Sequence, residues 1–175
     1  MKMTWSQGAH PLGRDPGDVH WIYHPYLLLV FRLVLAGVFI YAAAQKIGKP
    51  LAFADEIHNY GVVDYGPPLY IMAVVLPWLE LLCGLSLVTG ICLRGSALIL
   101  LALNAVFLVV IAKRTAGYVS EGTPFTKVYF DCGCGFGAVF AWKKLLEDAV
   151  YFIVAAALVT APLHRFTVSL RRRSS

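Results

Sequence analysis

Four stretches of this chain are almost continuously apolar, and polar residues collect between them. The first runs from Tyr26 to Ala44 with a single charge, Arg32. The second, Leu69 to Thr89, also carries one, Glu80, and the third, Ser96 to Ala112, carries none. Each is close to the length an α-helix needs to cross a hydrocarbon layer of about 30 Å. The fourth, Ala149 to Leu163, is short for that purpose. Adding Leu145 and Leu146 lengthens it but takes in Glu147 and Asp148. The pattern predicts an all-α polytopic membrane protein, a bundle of four transmembrane helices whose last member begins at the interface.

The connections differ in kind. Gly90 to Gly95 reads as a tight turn holding Arg94. Gln45 to Pro68 contains a short amphipathic stretch, LAFADEIHNYGV, before Pro67-Pro68 restarts the chain. Lys113 to Lys144 holds a pair of cysteines. Four spans would put both long connections on one side and the termini with the tight turn on the other. The chain then divides into a polar N-terminal segment (1–25), a membrane domain (26–163) and a basic tail (164–175). The first 25 residues lack the basic-then-apolar pattern of a signal peptide, so the first apolar block is expected to be an uncleaved anchor.

Composition strengthens the membrane reading. Hydrophobic residues make up 59% and charged residues 14%, with a mean hydropathy of +0.69. Soluble domains are nearer half apolar and a quarter charged. The net charge is +5, without a basic patch interleaved with aromatics, which argues against nucleic acid. Arg171-Arg172-Arg173 follows an apolar helix and reads as a membrane flank. Lys and Arg divide seven against seven between the two sides, so the positive-inside rule gives no orientation. Acids lean to the long-loop side, which weakly favours termini inside.

The two charges in the apolar blocks need partners, since an unpaired one costs about 2.5–3.5 kcal/mol on insertion scales. At 1.5 Å per residue, Arg32 lies about 9 Å and Glu80 about 13 Å from the same membrane face. An Arg32–Glu80 ion pair between the first two helices is therefore expected, as a structural pair or as part of a proton or ligand site. Pro77 and Trp78 precede Glu80 and would open a small cavity beside it, while Gly84 would let helices approach closely. Asn104 is expected to hydrogen-bond across helices.

The chemically distinctive stretch is Tyr129-Phe-Asp-Cys-Gly-Cys-Gly-Phe-Gly137. Cys132 and Cys134 stand one residue apart among three glycines. Three chemistries fit. The dithiol can close into a small, strained and labile disulfide suited to exchange. Two thiolates can hold soft copper(I) or zinc, with further ligands still needed and only His58 on that side to supply nitrogen. The cysteines can also be inert turn residues. Asp131 would raise a neighbouring thiol's pKa, whereas Lys46 or Lys127 would lower it. Cys83 reads as a small packing residue, and Cys92 falls at the opposite membrane face.

These motifs together resemble the MauE/DoxX-like membrane proteins, MauE more closely. The resemblance rests on Arg32 followed by Leu35-Ala-Gly-Val-Phe-Ile-Tyr-Ala42 and Lys46, then on Pro50, Phe53-Ala54, Ile57 and Asn59-Tyr60. It continues through Leu76-Pro-Trp-Leu-Glu-Leu81 with Gly84, Leu87 and Gly90, and ends on Cys132-Gly-Cys134, covering about residues 26 to 160. Relatives often show Cys-Gly-Cys-Phe-Gly; here Gly135 separates Cys134 from Phe136. The resemblance implies a membrane thiol–disulfide protein of the bacterial inner membrane, with cytoplasmic termini and a motif facing the periplasm. Its partner would be a thioredoxin-like protein or a secreted redox enzyme, as in maturation of the disulfide-rich dehydrogenase of methylamine utilisation. Cys132 and Cys134 would carry the chemistry. Arg32 and Glu80 would hold the bundle, and Lys46, Asn59, Tyr60 and Asp131 would shape the site. DoxX-like relatives imply instead a quinone-linked scaffold or assembly subunit, with a quinone near Glu80 and Trp78. Soft-metal handling is the third reading.

Overall fold

The structure is a computed structural model that describes residues 25–131 and 137–161. Five α-helices build it: α1 (Pro25–Ile47), α2 (Pro50–Asn59), α3 (Pro67–Thr89), α4 (Leu93–Ser120) and α5 (Ala141–Thr160). Between α4 and α5 lie a 3-10 turn (Phe125–Lys127) and two short strands, β1 (Tyr129–Asp131) and β2 (Ala138–Phe140). The strands pair antiparallel, Tyr129 opposite Phe140 and Asp131 opposite Ala138.

Three helices are long and apolar enough to cross a membrane: Tyr26–Ile47, Pro67–Thr89 and Leu93–Ser120. The protein is thus a polytopic all-α membrane protein with three such spans among the described residues, which corrects the expected four. The reason lies in α5. It begins eight residues earlier than the apolar block Ala149–Leu163, and its first half carries Lys143, Lys144, Glu147 and Asp148. Beyond Asp148 the uncharged stretch Ala149–Thr160 is only about 18 Å long at 1.5 Å per residue, short of the hydrocarbon thickness. Helix α5 packs along α4 and touches α1. Its first N–H, from Ala141, donates to the Val128 carbonyl (3.0 Å), and beyond its last turn the Ala161 carbonyl accepts from Arg94 (2.9 Å).

Prolines and glycines set the element ends. Pro50 and Pro67 sit at the first positions of α2 and α3, where a missing N–H costs nothing. Gly90 ends α3 in the left-handed region (φ +80°). Only Gly90, Ile91 and Cys92 separate α3 from α4, so the turn is tighter than Gly90–Gly95 and Arg94 lies in the first turn of α4. Inside α3, Pro77 is buried and leaves the Ala73 carbonyl without its helical donor.

The core is layered along the bundle. At the tight-turn end, Leu35 and Ala36 meet Cys83, Leu87, Leu100, Ala155 and Leu158. Cys83 is packing there, and Cys92 is exposed in the turn. Helices α1 and α3 come closest at Gly84, where an added Cβ would lie 2.7 Å from Ile40 Cγ1 and 3.3 Å from the Ala36 carbonyl oxygen. At the other end the amphipathic α2 buries Phe53, Ala54 and Ile57 against Leu69 and Ala73 of α3. Beside it, Tyr60, Ile111, Val128, Phe130 and Ala141 seat the β-hairpin on α4 and α5.

Candidate functional site

The charges buried in the bundle do not pair as their depths alone suggest. Glu80 is 1% exposed, and both its carboxylate oxygens accept from Lys46 Nζ at 2.8 Å. Lys46 sits in the last turn of α1, beyond the apolar block, and its flexible stem lets the ammonium reach Glu80 on α3. The ammonium also lies over Phe53 (5.0 Å) and Phe107 (4.8 Å). Arg32 instead points toward the tight-turn end and donates to the Val88 carbonyl at 3.4 Å. The expected Arg32–Glu80 pair is replaced by Lys46–Glu80. Arg32 and Lys46 lie on nearly the same face of α1, about four turns apart; α1 and α3 are staggered so that Ala36 meets Gly84 and Arg32 meets Val88, which leaves Glu80 to the long side chain of Lys46.

A second buried pair lies on α5. Lys144 Nζ stands 2.7 Å from Asp148 Oδ1 and 3.7 Å from Glu147 Oε2. The hydroxyl of Tyr151 donates to Glu147, and Asn104 Nδ2 donates to the Asp148 backbone carbonyl at 3.0 Å. The two ion pairs face one cavity of about 40 Å³, lined by Lys46, Glu80, Asn104, Lys144, Asp148 and Tyr151 among others. That is room for about one or two water molecules. Trp78, expected beside Glu80, does not line this cavity and is 49% exposed on α3.

Above this inner cavity is a larger one of about 330 Å³ on the side of the long connections. Gln45, Lys46, Lys49, Phe53, Glu56, Asp131 and Gly137 line it. Among the described residues Lys46 is shared by both cavities. Asp131 and Gly137 bracket the cysteine motif; Cys132 and Cys134 themselves lie outside the described residues. Burial, and then the nearby Asp131 carboxylate, push the Glu56 carboxyl above its ordinary range, while Arg114 pulls it back.

Arg114 is the residue that sequence reasoning missed. It is 3.7 Å from Glu56 and lies over the rings of Tyr60 (5.3 Å) and Phe130 (4.6 Å), tying α2, α4 and β1 together. Helix α4 runs eight residues past the apolar block Ser96–Ala112. Ile111, Arg114, Thr115 and Tyr118 continue its inward face at three- and four-residue spacing, a signal the apolar run alone conceals. Tyr60 is buried beneath the hairpin, whereas Asn59 is exposed at the end of α2 and lines neither cavity. The Nδ1 of His58 is 3.3 Å from the Val63 carbonyl and its ring packs on Tyr65. No cluster of three acid, histidine or cysteine side chains capable of holding a metal occurs among the described residues.

No curated protein and no solved structure matches this chain. The family model for methylamine utilisation protein MauE matches residues 24–161, a stretch that takes in all five helices, both cavities and the cysteine motif, and the chain therefore belongs to the MauE family.

Proposed function

We propose that this protein is a membrane thiol–disulfide carrier in which Cys132 and Cys134 cycle between dithiol and disulfide. A thioredoxin-like protein or secreted redox enzyme outside the cytoplasm is the exchange partner, with the chain in the bacterial inner membrane, its N-terminus in the cytoplasm and the cysteine motif on the outer side, as three spans before that motif require. One partner thiolate attacks the Cys132–Cys134 bond and forms a mixed disulfide; the second partner thiol displaces it. The partner leaves with a disulfide, and its two electrons and two protons remain on Cys132 and Cys134.

The observation that carries this reading is the position of the motif's flanks. Asp131 and Gly137 line an open cavity together with Lys46, Lys49 and Glu56. A paired strand on either side anchors the motif, and the hairpin is locked to α4 by Arg114. Of the lining residues, Lys46 and Lys49 would favour a thiolate, the reactive form, whereas Glu56 and Asp131 would oppose it. The methylamine pathway is the corresponding choice of substrate system, taken from the family's description. A Cys134→Ser variant should accumulate a mixed disulfide between Cys132 and the partner, or Cys132→Ser the reverse, seen on non-reducing gels. If neither variant traps a partner and both leave partner redox state unchanged in cells, the reading fails.

A further inference from the structure

The inner cavity holds an imbalance that the thiol chemistry does not use. From α1 it is faced by Lys46, from α3 by Glu80, and from α5 by Lys144, Glu147, Asp148 and Tyr151; α4 contributes Asn104, which does not titrate. Lys46 is committed to Glu80, both of whose oxygens it holds. That leaves Lys144 within ion-pair distance of two carboxyl groups, Glu147 and Asp148. Two adjacent carboxylates sharing one ammonium in an apolar setting do not both stay ionised easily, because each disfavours the other's charge. Asp148 is the more enclosed of the two, its side chain 7% exposed against 41% for Glu147. Its Oδ1 takes Lys144, and its Oδ2 is buried without a hydrogen-bond partner. An orphaned buried oxygen beside a water-sized cavity is where a carboxyl O–H would point.

We propose that the inner cavity is a proton-binding site in which the proton sits on Asp148 and exchanges with the loop-side cavity past Lys46. The route follows from the lining: Lys46 borders both spaces, and its ammonium touches Glu80. Lys46 hands an ammonium proton to Glu80 and regains one from loop-side water. Glu80 passes its proton through water in the inner cavity to Asp148. The reverse sequence returns it, so no atom is gained or lost other than the proton delivered. This site does not depend on Cys132 and Cys134.

Infrared difference spectroscopy of the full chain in lipid vesicles, between alkaline and acidic pH, reads the site directly. A protonated-carboxyl band is expected in the wild type, absent in Asp148→Asn and shifted in Asp148→Glu, which also shows that the fold tolerates the position. Glu147→Gln should keep the band. The double variant Lys46→Met/Glu80→Met should keep it too, but its exchange into deuterated water should slow by about tenfold or more, as even a small added barrier requires. A wild-type spectrum without such a band, or a band that survives Asp148→Asn, overturns the site. Unchanged exchange in the double variant overturns the route.

Discussion

Replacing Lys46 by Met removes the cation that holds both oxygens of the Glu80 carboxylate, which has no other hydrogen-bond partner among the described residues. The Lys46 and Glu80 side chains are 4% and 1% exposed, so both charges are largely withdrawn from bulk water. Breaking such a pair from one side costs about 3–5 kcal/mol, because the surviving charge stays buried. The reciprocal change, Glu80→Met, should cost less. The ammonium it strands still lies over Phe53 and Phe107, and each such contact returns roughly 0.5–2 kcal/mol. The double variant should recover most of the loss, since apolar replacement of a whole buried pair is often neutral or better. A coupling of about 3 kcal/mol is therefore expected, more than a hundredfold in the folding equilibrium. Unfolding of all four proteins in mixed detergent micelles measures it. If the single losses simply add in the double variant, Lys46 and Glu80 are not an energetic pair and the bundle's central contact has been misassigned.

Other consequences are as direct. Gly84→Ala should destabilise by about 1–3 kcal/mol through overpacking against Ile40 and the Ala36 carbonyl. Gly37→Ala, where nothing lies within 4 Å, should be neutral or stabilising by up to about 1 kcal/mol, both read by thermal unfolding in detergent. Arg114→Met should loosen the β-hairpin from α2 and α4, raising protease cleavage between residues 121 and 140, while Arg114→Lys should rescue only partly because an ammonium cannot stack on Tyr60 and Phe130 as a guanidinium does. Glu56 has a folded-state pKa above its ordinary value, so it binds its proton more tightly folded than unfolded. Its contribution is full below the ordinary Glu range and is lost as pH rises through the raised value. The stability of wild type relative to Glu56→Gln should accordingly fall as pH climbs through that interval, and a flat difference would remove the assignment.

Much of this architecture was written in the hydrophobic pattern. The three spans, the amphipathic α2 with Phe53, Ala54 and Ile57 inward, the close approach at Gly84 and the cross-helix hydrogen bond of Asn104 all follow from periodicity and residue size. The last helix was misjudged because a run of apolar residues marks only the part of a helix that needs no compensation. Lys144 and Asp148, four apart, compensate each other and let α5 start earlier, yet leave too little uncharged length to cross. The ion pair was misjudged for a related reason. Depth counted from the end of each apolar block says nothing about how neighbouring helices are staggered, and Lys46 lies outside the apolar block although its long side chain reaches into it. Arg114 escaped because its partners, Tyr60, Phe130 and Glu56, come from three separate elements whose meeting no local pattern encodes.

The central claim is that Cys132 and Cys134 form an exchangeable disulfide on the outer side of the membrane. Labelling intact cells with a membrane-impermeant maleimide, with and without prior reduction, tests it most directly when Cys83 and Cys92 are replaced by Ser to remove their signal. Labelling only after reduction is the predicted result, showing cysteines that are outside and oxidised. Labelling without reduction, or none under either condition, would contradict the claim: the first shows free thiols and the second a motif that is not exposed to the periplasm.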